Sequence, residues 1–199
     1  AASDVYKRQV LFGLYTAAVV YALGSFLEER FPHEETPFYT AFFSSAGVEE
    51  AVKFLFLFFL IWGNRNFNEP LDGIVYGVFV SLGFAWAENV IYVTHPILGG
   101  YETALERALL SVPGHGLFGV RMGYYFALGK YRNRKRYLPL AFFSPYLAHA
   151  LYNYFLLKRE PVFWLFFSVL EVRLWVFGLK RIKELQNCSP FREKVSKES

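Results

Sequence analysis

Apolar residues along the chain fall into six long blocks, separated by short polar links. A helix needs roughly 20 residues to cross the hydrocarbon of a bilayer. Drawn to that length, the blocks cover about 10–27, 38–62, 71–93, 105–128, 137–157 and 161–179. The links between them are short, so neighbouring helices are expected to lie side by side. The pattern predicts an all-α fold: a polytopic integral membrane helix bundle of about six transmembrane helices, forming one domain over 10–180. Small residues recur at four-residue spacing, as Gly73 and Gly77 in the third block and Gly119 and Gly123 in the fourth. That spacing predicts close helix crossings.

Composition agrees with the blocks. Of 199 residues 54% are hydrophobic, 21% are aromatic and only 19% are charged, with 23 phenylalanines. A soluble domain carries more charge and fewer aromatics. The net charge of +4 is concentrated in one link and the C-terminal end, so it marks no nucleic-acid partner. Lys7, Arg8, Arg65, the basic run from Lys130 to Arg136, and Lys180, Arg181 and Lys183 all fall on one side of an alternating topology. The richer side is expected to be cytoplasmic, which puts both termini inside. Lys158 and Arg159 run against this trend. Residues 1–9 differ in character from the rest of the chain and are expected to be a non-native or truncated segment, with a further helix upstream in that case. Residues 181–199 read as a polar cytoplasmic tail. The single cysteine, Cys188, rules out a disulfide framework within the chain.

Five of the blocks contain ionisable groups, and in four of them these form the candidate polar centre. A charged side chain near the bilayer centre costs about 2.5–3.5 kcal/mol on insertion scales, so each such group calls for a function or a partner. The second block holds Glu49, Glu50 and Lys53. Glu49 and Lys53 are four residues apart and share a helix face. That predicts a Glu49–Lys53 pair; either glutamate could activate water, with Glu50, pointing away from Lys53, favoured for that role. The third block holds Phe84, Glu88 and Asn89. The fourth opens on Pro113-Gly114-His115-Gly116, where a helix break or tight packing is expected beside His115. The fifth holds His149 and Asn153, again four apart. Counting about 1.5 Å per residue from the outer ends, these groups lie in the outer half of the bilayer, where four helices can converge them on one cavity. Arg121, Glu171 and Arg173 read instead as structural pairs or snorkelling side chains.

The set excludes most nucleophilic chemistry. The only aspartates, Asp4 and Asp72, lie outside the membrane interior, so no intramembrane aspartyl dyad can form. There is no Gly-x-Ser-x-Gly elbow and no His-Glu-x-x-His motif. Carboxylates, two histidines and an amide remain. They suit general acid–base activation of water with an amide donor for an oxyanion, and equally the binding of Zn²⁺. The catalytic candidates are Glu49, Glu50, Glu88, His115, His149 and Asn153, supported by Lys53 and Asn89. For a metal, the candidate ligands are Glu50, Glu88, His115 and His149. A proton- or ion-coupled transporter could use the same cavity, but it predicts an internal repeat that the sequence does not show.

At these residues the chain resembles the PrsW family of membrane proteases, within the larger group of CAAX and bacteriocin-processing proteases. The family's Glu-Glu-x-x-Lys matches Glu49, Glu50 and Lys53. Its Phe-x-x-x-Glu matches Phe84 and Glu88, and its histidines and asparagine match His115, His149 and Asn153. The CAAX branch has histidine where this chain has Glu88, which points away from prenylated substrates. The resemblance implies an intramembrane endopeptidase of a bacterial cytoplasmic membrane. Such an enzyme would cut membrane-anchored substrates of the anti-sigma-factor kind on the extracytoplasmic side. Both metal-dependent and glutamate-dependent mechanisms are compatible with the resemblance.

Overall fold

The computed structural model describes residues 2–31, 34–97, 99–132 and 135–190, with side chains from Lys7 onward. Six helices form among the described residues, and their bounds fall close to the six apolar blocks. Helix α1 is Ala2–Arg30. Helix α2 runs through Pro37–Tyr39, a π-helical segment Thr40–Ser45, and Ala46–Ile61. Helix α3 is Pro70–Val93. Helix α4 runs through Tyr101–Glu106, a second π-helical segment Arg107–Ser111, and Val112–Tyr131. Helix α5 is Tyr137–Lys158 and α6 is Pro161–Asn187. Two ends extend past the predicted spans. Residues 2–9 continue into α1 as one helix, and α6 keeps its helical form through 181–187, inside the expected tail; residues 191–199 of that tail lie outside the described residues.

Local chemistry fixes where the helices begin. Proline occupies the first turn of α2, α3 and α6, where its missing N–H would have had no partner. Thr36 caps α2 by accepting from the Tyr39 amide at 3.2 Å. Glu69 and Asp72 form a reciprocal capping box at the head of α3. α5 ends on Arg159 in the left-handed conformation (φ 53°).

The predicted glycine crossings form. A Cβ on Gly77 would lie 2.5 Å from the Gly119 carbonyl oxygen, and one on Gly73 would lie 2.7 Å from that of Gly123. Only glycine lets α3 and α4 approach so closely. A second crossing, Gly13 on Gly83, seats α1 against α3. α4 is buried along most of its length, from Gly114 to Gly129, and also packs against α5 and α6. α5 in turn packs against α2.

The exterior carries Phe59, Trp86, Leu109, Leu165, Val172, Val176 and Leu179, all well exposed. Three segments, Lys7–Arg30, Pro70–Val93 and Pro161–Asn187, are by length and composition able to cross a membrane. The interior, in contrast, holds Glu49, Glu50, Lys53, His115 and His149, all buried. An apolar surface around a polar interior is the arrangement that hydrocarbon solvent favours.

Candidate active site

The buried polar groups meet where α2, α3, α4 and α5 converge. Lys53 is fully enclosed, and its Nζ donates to Glu50 Oε1 at 2.9 Å and to Glu49 Oε2 at 3.4 Å. It also lies 3.1 Å from His115 Nδ1 and 3.9 Å from the centre of the Phe84 ring. An ammonium has only hydrogens to offer, so Nδ1 of His115 accepts and its Nε2 carries the hydrogen. That Nε2–H donates to Glu88 Oε2 at 3.0 Å.

A second chain of bonds fixes the other histidine. Ser45 Oγ donates to Glu49 Oε1 at 2.8 Å and therefore accepts from Asn153 Nδ2, also at 2.8 Å. The remaining amide hydrogen of Asn153 goes to His149 Nε2 at 3.1 Å. His149 Nδ1–H is thus left to donate to Glu50 Oε1 at 3.0 Å. Phe118 stacks on the His149 ring with centroids 4.6 Å apart and planes 20° from parallel.

Several expectations change here. Glu50, not Glu49, is the closer partner of Lys53, because residues three apart on a helix are neighbours as well as those four apart. Glu50 is fully buried, whereas Glu49 is bonded to Ser45, which lines the open cavity. Of these two, Glu49 is the one joined to the cavity wall, through Ser45, while the carboxylate that lines the cavity is Glu88. Asn153 has both amide hydrogens committed, so in this arrangement it orients His149 and is not free to stabilise an oxyanion. Of the two alternatives at Pro113–Gly116, tight packing is the one found, since a Cβ on Gly114 would lie 3.2 Å from the Tyr152 ring; the helical irregularity lies one turn earlier, in the π-helical Arg107–Ser111. Asn89 stands outside the centre, its Oδ1 accepting from Arg107 Nε at 2.7 Å.

Arg107 was not singled out by the sequence pattern. Its Nη2 donates to Glu88 Oε2 at 2.7 Å and to Ser111 Oγ at 3.1 Å. Ser45, Ser111 and Arg107 belong to the two π-helical segments, and the one available signal was position. Ser45 precedes Glu49 by one turn, and Ser111 precedes His115 by one turn.

A cavity of ≈ 250 Å³ opens beside the centre, lined by Ser45, Glu88, Arg107, His115, His149 and Asn153, with Leu110, Phe118 and Leu156 as apolar wall. Behind it, Glu49, Glu50, His115 and His149 each offer a ligand atom within 4.8 Å of the others. Glu88 lies outside that set, on the far side of the His115 ring. The donors suit a divalent metal of the zinc type, two carboxylates with two imidazoles. With both carboxylates ionised, one ammonium leaves a negative charge uncompensated, and Glu50 Oε2 is buried without a partner. The His115–Glu88 bond repeats the carboxylate–histidine pairing that orients metal-binding imidazoles.

Residues 4–178 match the family model described as PrsW family intramembrane metalloprotease. The chain belongs to that family. It is 40% identical over 152 residues to the Protease PrsW of Geobacillus kaustophilus, covering 75% of this chain and 65% of that protein. It is 41% identical over 148 residues to the Protease PrsW of Oceanobacillus iheyensis, 73% of this chain and 67% of the relative. With the Protease PrsW of Shouchella clausii it shares 33% identity over 194 residues, 91% of this chain and 87% of the relative. The chain thus spans about two thirds of the length of the first two of these curated relatives. No solved structure matches it. Family membership and the apolar helices together identify an integral membrane protein.

Proposed function

We propose that this chain is an intramembrane endopeptidase that hydrolyses peptide bonds of membrane-anchored proteins at the four-helix centre, in the outer half of the bilayer. The observation that carries the reading is the convergence of Glu49, Glu50, His115 and His149 within 4.8 Å beside an open cavity. A divalent metal would be held by these four residues, and when bound it would polarise the scissile carbonyl and acidify water.

The chain's own groups supply the remaining chemistry. Glu49, bonded to the cavity-lining Ser45, takes the proton from water as the water oxygen bonds to the carbonyl carbon. It returns that proton to the leaving amine as the C–N bond breaks. Glu50 anchors Lys53 and His149. Asn153 and Glu88 hold the two imidazoles in fixed tautomers. The apolar wall of Leu110, Phe118 and Leu156 shields the reacting bond from bulk water. Substrates of the anti-sigma-factor class, anchored by one helix with a cleavage site at its outer end, fit this depth. The bacterial cytoplasmic membrane, with both termini inside, is the matching location.

The test is cleavage of a membrane-anchored reporter by the purified full chain, with metal content measured on the same preparation. Glu49→Gln and His149→Ala should each reduce cleavage at least about 100-fold. Full activity in both variants would refute the site. A metal-free, glutamate-only mechanism has one observation in its favour, the Lys53 ammonium among the four donors. Cleavage that survives chelation and shows no stoichiometric metal would establish that second reading.

A further inference from the structure

Arg107 joins the cavity to the histidine machinery. It begins the π-helical segment of α4 and lines the cavity. All the hydrogens on Nε and Nη2 are used: Nε on Asn89, and Nη2 on Glu88 and Ser111. The guanidinium also lies over the Tyr92 ring, 4.1 Å from its centre. Three acceptors and an aromatic face fix the plane of the group, which a simple ion pair would not do. Glu88 needs that support. Its side chain is 18% exposed to the cavity, and its Oε2 accepts from Arg107 and His115 together. A glutamate held by the imidazole alone could swing out toward water and leave Nε2 of His115 without an acceptor. Its ring would then exchange tautomers or rotate away from the centre.

We propose that Arg107 is a positioning residue. It clamps Glu88 against Nε2–H of His115 and so keeps the Nδ1 lone pair of His115 directed at the centre. Lysine cannot replace it, because an ammonium lacks the planar fork that reaches Glu88 and Asn89 at once. The kinetic consequence rests on the hydrolytic reading of the site; the consequence for the histidine does not.

The test uses the full chain in detergent micelles with ¹⁵N-labelled histidine, the His115 signals being assigned by difference against His115→Gln. The wild type should show His115 as a single Nε2–H tautomer. Arg107→Gln should move its two nitrogen shifts toward each other, as tautomers mix, and Arg107→Lys should do the same while keeping the charge. If Arg107→Gln fails to fold, Arg107→Lys carries the measurement. On a cleavable reporter, kcat should fall about 10–100-fold, the range for groups that orient a metal or catalytic ligand, with KM unchanged. Adding Arg107→Gln to Glu88→Gln should cost nothing more. An unchanged His115 tautomer in Arg107→Lys, or losses that multiply in the double variant, would overturn the proposal. A tautomer shift in a chain whose wild type cleaves nothing would uphold the clamp and refute the hydrolytic reading.

Discussion

Lys53 bonds to two carboxylates and also touches a histidine, so its removal differs in kind from the loss of a surface charge. Breaking a buried pair by deleting one partner costs about 3–5 kcal/mol, because the remaining charge is stranded. Lys53→Met should therefore lower the unfolding temperature in micelles markedly, and added Zn²⁺ should recover part of the loss by supplying a substitute cation. A variant as stable as the wild type would show that the carboxylates are neutral. Most of this centre was legible in the sequence: the motif residues of four helices do meet. Their division of labour was not. A face-sharing argument cannot choose between partners three and four residues away, so it paired Lys53 with Glu49 where Glu50 is the closer. Arg107 escaped notice because a lone arginine beside a helix start is usually solvated. Only tertiary contact with Glu88 and Asn89 gives it a role.

At the scale of helices, the α3–α4 crossing positions Glu88 relative to His115. Gly77→Leu would drive a side chain into the Gly119 backbone, whereas a Cβ on Gly24 meets nothing within 4 Å. Gly77→Leu should cost about 1–3 kcal/mol or more through overpacking and should abolish cleavage, while Gly24→Ala leaves both unchanged. Thermal unfolding and reporter cleavage on the same samples separate the two. Ser45→Ala tests the π-helical segment of α2. It strands an amide hydrogen of Asn153 and an oxygen of Glu49, at about 1–3 kcal/mol, and should reduce cleavage through the loosened His149. The crossings were legible because four-residue glycine spacing has one simple use in hydrocarbon. The π-helical segments were not. One extra residue in a turn leaves no trace in a run as uniformly apolar as Ala41-Phe42-Phe43, although such turns gather at functional sites.

Across the whole molecule, orientation and the cytoplasmic end are open to direct measurement. Cys188 is the only cysteine and is exposed. An impermeant maleimide should label it in inside-out vesicles and leave it unmodified in intact cells; the reverse would invert the topology. At the same end Glu184 accepts from Tyr124 of α4 at 3.2 Å and pairs with Arg132 and Arg181. The bundle as a whole was legible because block length is a coarse signal that hydrocarbon enforces on every span. The ammonium of Lys53 has a last consequence, for biogenesis. Because a tethered cation already sits among the four donors, the helices can assemble after insertion without waiting for an ion. A metal bound at the four donors would then enter as a late exchange on a finished scaffold. Were the protein metal-dependent, chelation should silence it without melting it, unlike small zinc domains, whose folding and metallation are one event.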